Sequence, residues 1–144
     1  MTEEQKILRS SIRDFAESEI APVAADLDES GEFSVELTRK MADMGLFGIV
    51  VPEDYGGSGM DYLSYCIAVE ELARIDGSQA ATVAAGNSLG IGPIYYYGNE
   101  QQRGEWLPRL CCGEILSSFG LTEPDAGSDR SEEHTSELQS LLII

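Results

Sequence analysis

Across residues 2–20 the apolar positions Leu8, Ile12, Phe15, Ala16 and Ile20 recur every three or four residues, with Glu, Arg and Ser between them. That spacing predicts a helix with one buried stripe. Thr2, with Gln5 three residues on, has the pattern of a reciprocal N-terminal cap. Pro22 disfavours helical backbone at Ala21, so the helix is expected to end near 20. A further short helix or turn should follow over 22–28, broken at Ser30-Gly31-Glu32. Ser34 predicts the cap of a second helix, with Leu37, Met41 and Met44 facing inward and Gly45 left-handed at its end. The run 46–51, Leu-Phe-Gly-Ile-Val-Val before Pro52, has strand composition. With no strand nearby to pair with, it reads as buried extended chain.

A third helix is predicted from Asp61 to about Asp76-Gly77, with Leu63, Cys66, Ile67, Val69, Glu70, Leu72 and Ala73 around a broad apolar face. A fourth, from Ser78, is unusual in that Ala80, Ala81, Val83, Ala84, Ala85, Gly86, Ser88 and Gly90 are all small or slight. Close helix packing is the leading explanation, and room for a ligand the other. Gly98 stops the segment containing Tyr95, Tyr96 and Tyr97. Asn99 then caps a last helix with Gln102 in the reciprocal position and Trp106, Leu107 and Leu110 inside. The first extended stretch is 115–121. The fold class is therefore all-α over 1–112, without repeats or an interdomain linker.

With 144 residues, 42% of them hydrophobic, the chain can build one domain with a real core. Nine Lys and Arg against 26 Asp and Glu give a formal charge of −17, which opposes binding to nucleic acid. An anionic ligand would have to be held by a few local donors. Cys66, Cys111 and Cys112 suit neither a disulfide framework nor a metal site, and they read as reduced core residues. The acidic, helical start lacks the basic and apolar regions of a signal peptide, and no apolar run approaches ~20 residues. The expectation is a soluble, cytoplasmic protein with no membrane partner and no bound metal.

Two stretches invite a chemical reading. Asp54-Tyr55-Gly56-Gly57-Ser58-Gly59 concentrates glycine, but a phosphate cradle normally links strand to helix and carries a Lys, so a structural turn is the expectation. Phe119-Gly120-Leu121-Thr122-Glu123-Pro124-Asp125-Ala126-Gly127-Ser128-Asp129 combines breakers with hydroxyl and backbone donors. It has the make-up of a loop holding a flat, polar-edged ligand, though an ordinary surface turn fits the same letters.

Taken with Val51-Pro52-Glu53-Asp54-Tyr55-Gly56-Gly57, Asn87-Ser88-Leu89-Gly90 and Gly98-Asn99-Glu100-Gln101-Gln102, that loop makes the chain resemble the acyl-CoA dehydrogenase family from about Thr2 to Asp129. The resemblance implies an N-terminal helical domain over 1–118, followed at 119–129 by a flavin and substrate loop opening a middle β-barrel. It implies FAD as cofactor, with Phe119, Leu121, Thr122, Gly127 and Ser128 on the flavin side and Ser128 also toward CoA. Ala81, Ala85 and Leu89 would line the acyl tunnel, and the small residues at 81 and 85 suggest a straight acyl chain of medium or greater length. The implied reaction is α,β-dehydrogenation of an acyl-CoA, with electron-transferring flavoprotein as redox partner and a homodimer or homotetramer as the full-length assembly. No catalytic residue is expected in this chain, because the family's glutamate base lies in the C-terminal domain; Glu123 belongs to the loop motif. A eukaryotic source would imply the mitochondrial matrix. Acyl-CoA oxidases and nitroalkane oxidases are similar in this region, and a non-catalytic acidic helical interaction module is the reading from another class.

At Arg130 the family pattern stops. Residues 130–140 are the one-frame translation of a common sequencing-adapter string, codon for codon, so 130–144 is expected to be a non-native tail, and His134, the only histidine, is assigned no function.

Overall fold

The structure, a computed structural model, describes residues 1–122, 124 and 127, together with the backbone of 141–143. Helix α1 (Glu3–Phe15) starts at the reciprocal cap expected from Thr2 and Gln5. It does not stop before Pro22. The chain passes through one π turn (Ala16–Ile20) into α2 (Ala21–Ser30), with the Ala21 N–H donating to the Ala16 carbonyl five residues back. Proline lacks an N–H and clashes with the carbonyl four residues earlier. One wide turn absorbs that defect ahead of Pro22, so the helix continues and ends at Gly31, which is left-handed.

Ser34 caps α3 (Val35–Asp43), and Gly45, at φ 73°, closes it as expected. Residues 46–51 are buried except for half-buried Val50, but they turn where extended chain was expected, with Gly48 left-handed and the Val51 N–H donating to the Gly48 carbonyl; the turn after them supplies further backbone partners. Ser58 N–H donates to the Gly48 carbonyl, Gly59 to Val51 and Met60 to Ile49. The 57–60 segment is thus a structural turn whose amides are spent on the protein itself. Gly57 has no substitute there, since an added Cβ would lie 2.6 Å from the Val51 carbonyl carbon.

Asp61 caps α4 (Tyr62–Ala73), which packs beside α1. The contacts advance together along both helices: Gln5 donates to Asp61, Arg9 pairs with Glu70, Arg13 with Glu71, and Glu17 with Arg74. The two helices therefore run parallel. The buried face of α4 is rotated from the expected one. Leu63 is 50% exposed and Cys66 is exposed, whereas Glu71 is 1% exposed. Its carboxylate takes a forked pair of hydrogen bonds from Arg13 at 2.8 and 2.9 Å, and Arg9 and Arg74 each reach it at 3.3 Å. Those partners are what let a charge replace an apolar residue in the stripe. Cys112 is also exposed, so only Cys111 is a core cysteine, its thiol pushed up to about 12 by burial.

Helix α5 (Gly77–Ala85) is capped by Asp76 and starts one residue before the expected Ser78. A second π turn (Gly86–Ile91) leads into α6 (Gly92–Tyr97), and α7 (Glu100–Cys111) begins at the expected Asn99–Gln102 box. The short strand β1 (Ser117–Phe119) pairs antiparallel with β2 (Leu141–Ile143), Ser117 opposite Ile143. Otherwise the described residues are helical or turn, in keeping with the all-α expectation. Ile12, Ile20, Met41, Leu46, Ile49 and Leu72 lie at the centre of a core to which α1, α3, α4, α5 and α7 all contribute.

Candidate functional site

The fourth helix divides its small residues between two faces. Ala80 and Val83 are buried, whereas Ala81 and Ala85 are exposed, as is Leu89 one turn further on, at 45%. Helix packing explains the first pair. It does not explain the second, which forms an open, slight-sided row at a spacing of four. Ala85 also reaches, with Thr82 and Gly86, into an apolar pocket of about 210 Å³ closed by Phe33, Phe47 and Leu110 and bordered by residues 115–117. Ala81 and Leu89 lie outside that lining.

The π turn beyond Ala85 is where the helix is tied to the rest of the domain. Gly92 N–H reaches back five residues to the Asn87 carbonyl, and Pro93 follows, repeating the arrangement ahead of Pro22. The Asn87 side chain is buried and makes four hydrogen bonds. Its Oδ1 accepts from the Gly48 and Ile49 amides at 2.9 and 3.1 Å, and its Nδ2 donates to the Leu46 and Val83 carbonyls at 2.8 and 2.9 Å. Three residues on, buried Gly90 meets β1: a Cβ there would overlap Ser117 Oγ and lie 2.6 Å from Ser117 Cβ. The strand and the π turn are in contact along this seam.

Beyond the seam, Phe119 is 39% and Leu121 38% exposed, and Thr122 is exposed. The segment expected to meet a ring system thus lies open at the surface and not in a sealed interior. Gly127 faces it, with its absent Cβ position 3.8 Å from Thr122 Cγ2. Ser128 and the tail stretch 130–140 lie outside the described residues. Among the described residues no group of His, Cys, Asp and Glu could hold a metal ion, and no helix is long and apolar enough to cross a membrane.

A second pocket, about 240 Å³, lies between α4 and α6 and is walled by tyrosines, among them Tyr62, Tyr65 and Tyr96. The Tyr62 and Tyr96 hydroxyls meet in a hydrogen bond, and that bond is the main cause that pushes the Tyr96 phenol up to about 12. Sequence reasoning did not find Asn87 or Glu71 as organising residues. The signal for each was present: an Asn within a helical run, where it is a poor former, and a Glu three and four residues from the buried Ala68 and Ile67.

Residues 2–114 match the acyl-CoA dehydrogenase N-terminal domain. The chain belongs to the acyl-CoA dehydrogenase family. A probable acyl-CoA dehydrogenase, YngJ, of Bacillus subtilis strain 168 is 48% identical over 135 residues, covering 94% of this chain and 36% of that relative. Butyryl-CoA dehydrogenase from Megasphaera elsdenii superposes with a TM-score of 0.84 at 40% identity, over 90% of this chain and 34% of that one. An acyl-CoA dehydrogenase from Bacillus anthracis complexed with FAD superposes at 0.82 and 39% identity, over 90% of this chain and 22% of that one. The chain spans about a third of the length of the curated relatives it matches. Family membership accounts for the helical domain, and the 119–129 segment begins five residues beyond the last matched residue, 114.

Proposed function

We propose that this chain is the N-terminal part of an FAD-dependent acyl-CoA dehydrogenase, inactive by itself, in which 119–129 is the flavin and substrate loop. The observation that supports this reading is the exposure of Phe119, Leu121 and Thr122 at the end of the strand that contacts the π turn after the fourth helix. Exposed Phe119 and Leu121 offer apolar contact to a flat ring, and the Thr122 hydroxyl offers a donor for its polar edge, which suits an isoalloxazine. FAD, when bound, supplies the acceptor for the hydride leaving the acyl β carbon. The chain's own share is to orient: Thr122 and nearby main-chain donors favour negative charge on the ring they face, and Gly127 allows close backbone approach. Ser128 would meet the CoA portion. Ala81, Ala85 and Leu89 would border a straight acyl chain of medium or greater length.

The α proton would be removed by a glutamate outside this chain. Electron-transferring flavoprotein is the proposed redox partner, with a dimer or tetramer as the full-length form. Bacterial and mitochondrial relatives support a cytoplasmic or matrix location. The test is to sequence genomic DNA across codons 129 and 130 and to express the protein it encodes. The expected product carries FAD and reduces an electron-acceptor dye with acyl-CoA, and its sequence after Asp129 departs from 130–144. Failure to retain FAD would overturn the flavin reading, use of short branched thioesters alone the chain-length reading, and a genomic match through 130–144 the tail reading.

A further inference from the structure

The contact between Gly90 and Ser117 has the geometry of a seat. Gly90 is buried in the second π turn, and the space a Cβ would fill is occupied by the Ser117 side chain, with Ser117 Cα itself 3.8 Å away. Ser117 opens β1, and side chains at 117 and 119 emerge on the same face of a strand. Fixing Ser117 on the π turn therefore fixes both the height at which β1 crosses the helix and the side on which Phe119 emerges. Asn87, three residues earlier in the same turn, anchors the turn to the buried 46–49 segment through three of its four hydrogen bonds, so the seat is built on a part of the core and not on a free helix end.

We propose that Gly90 is a positioning residue for the flavin-side segment: it seats Ser117, and through β1 sets where residues 119–122 lie relative to Ala85 and Leu89. Its consequence for the cofactor rests on the flavin reading above, whereas the seat itself does not.

The sign of one substitution separates this from helix propensity. Alanine is a better helix former than glycine, so propensity alone would leave Gly90→Ala neutral or favourable. Gly77→Ala, where an added Cβ meets nothing within 4 Å, is the matched control on the same helix run. In the genomically encoded protein, so that β1 is not read through its pairing with the 141–143 tail segment, Gly90→Ala is expected to lower hydrogen-exchange protection of the 117–119 amides on the order of tenfold while the α1 and α4 amides keep theirs. Gly77→Ala should change neither. Adding Ser117→Gly to Gly90→Ala should restore protection to that of Ser117→Gly alone. Unchanged protection in Gly90→Ala, or a double variant no better than the single one, would overturn the seat. Should Gly90→Ala not fold, Ser117→Val places a larger side chain on the unaltered turn. The same local loss supports the seat, and none overturns it. In the FAD-bearing protein, Gly90→Ala should also shift the visible flavin spectrum. A flavin spectrum that does not move while protection falls would overturn the positioning role, whereas a protein that never holds FAD would overturn the functional reading instead.

Discussion

The two π turns of this domain share a backbone and differ in everything the side chains do with it. Each follows an α-helix, each places a proline two residues beyond its end, and each closes with an N–H donating five residues back. In the first, Ala16 and Ile20 point into the core, while Glu17 and Glu19 reach outward to Arg74 and Lys40 in exposed ion pairs. In the second, a polar side chain points inward: Asn87 holds the 46–49 segment, and Gly90 admits a strand. The wide turn is thus a way of continuing a helix past proline, and it organises neighbouring structure only where the sequence supplies an inward amide and an absent Cβ.

Asn87→Ala is the sharpest way to break that comparison. It strands two amides and the Leu46 carbonyl in the core, while the Val83 carbonyl keeps the Gly86 N–H, and a loss of about 4 kcal/mol in denaturant unfolding is expected. Less than about 1 kcal/mol would show that the second turn is as ordinary as the first. Ile20→Ala at the first turn should cost about 3 kcal/mol through the cavity it leaves, without loosening the 46–49 segment as read by amide exchange.

Glu71→Gln should lower stability at neutral pH and flatten its loss in acid. The hydrogen bonds from Arg13, reinforced by the charges of Arg13, Arg74 and Arg9, hold the Glu71 carboxyl below its ordinary value. A carboxyl lowered on folding adds stability that is complete above its unfolded value of about 4.3 and lost as pH falls through the folded one. The unaltered chain should therefore lose thermal stability below about pH 4.3 more steeply than the variant. Equal slopes would remove Glu71 from the acid response. Smallest of all, Glu17→Ala should cost at most about 0.5 kcal/mol, and that difference should vanish in high salt, because its partner Arg74 is an exposed pairing.

What could be read in the letters was what local chemistry decides. The caps at Thr2, Ser34 and Asn99, the break at Gly31 and the left-handed Gly45 came directly from residue type and spacing. The end predicted before Pro22 failed because a π turn leaves little local sequence signal and packing of Ile20, Ala24 and Leu27 against the core rewards continuing. The face of α4 was misjudged because the spacing from Ile67 and Ala68 puts Glu71 on the buried stripe, whereas the arginines 58 and 62 residues away that make its charge tolerable there lie beyond any local pattern. The same holds at the candidate site. Family motifs located 119–122, but the residue that seats it, Gly90, was only one small residue among several until Ser117 was seen against it.

Asp61 does more than start α4. Because α1 and α4 run side by side in the same direction, their peptide dipoles are aligned and their two positive ends lie together, an arrangement that by itself repels. The Asp61 carboxylate accepts from Ser64 at the start of one helix and from Gln5 in the first turn of the other, so one anion sits at both positive poles. A side-by-side pair that electrostatics would push apart is instead joined at its mouth by a single negative charge, and losing that charge should splay both helices from the same end.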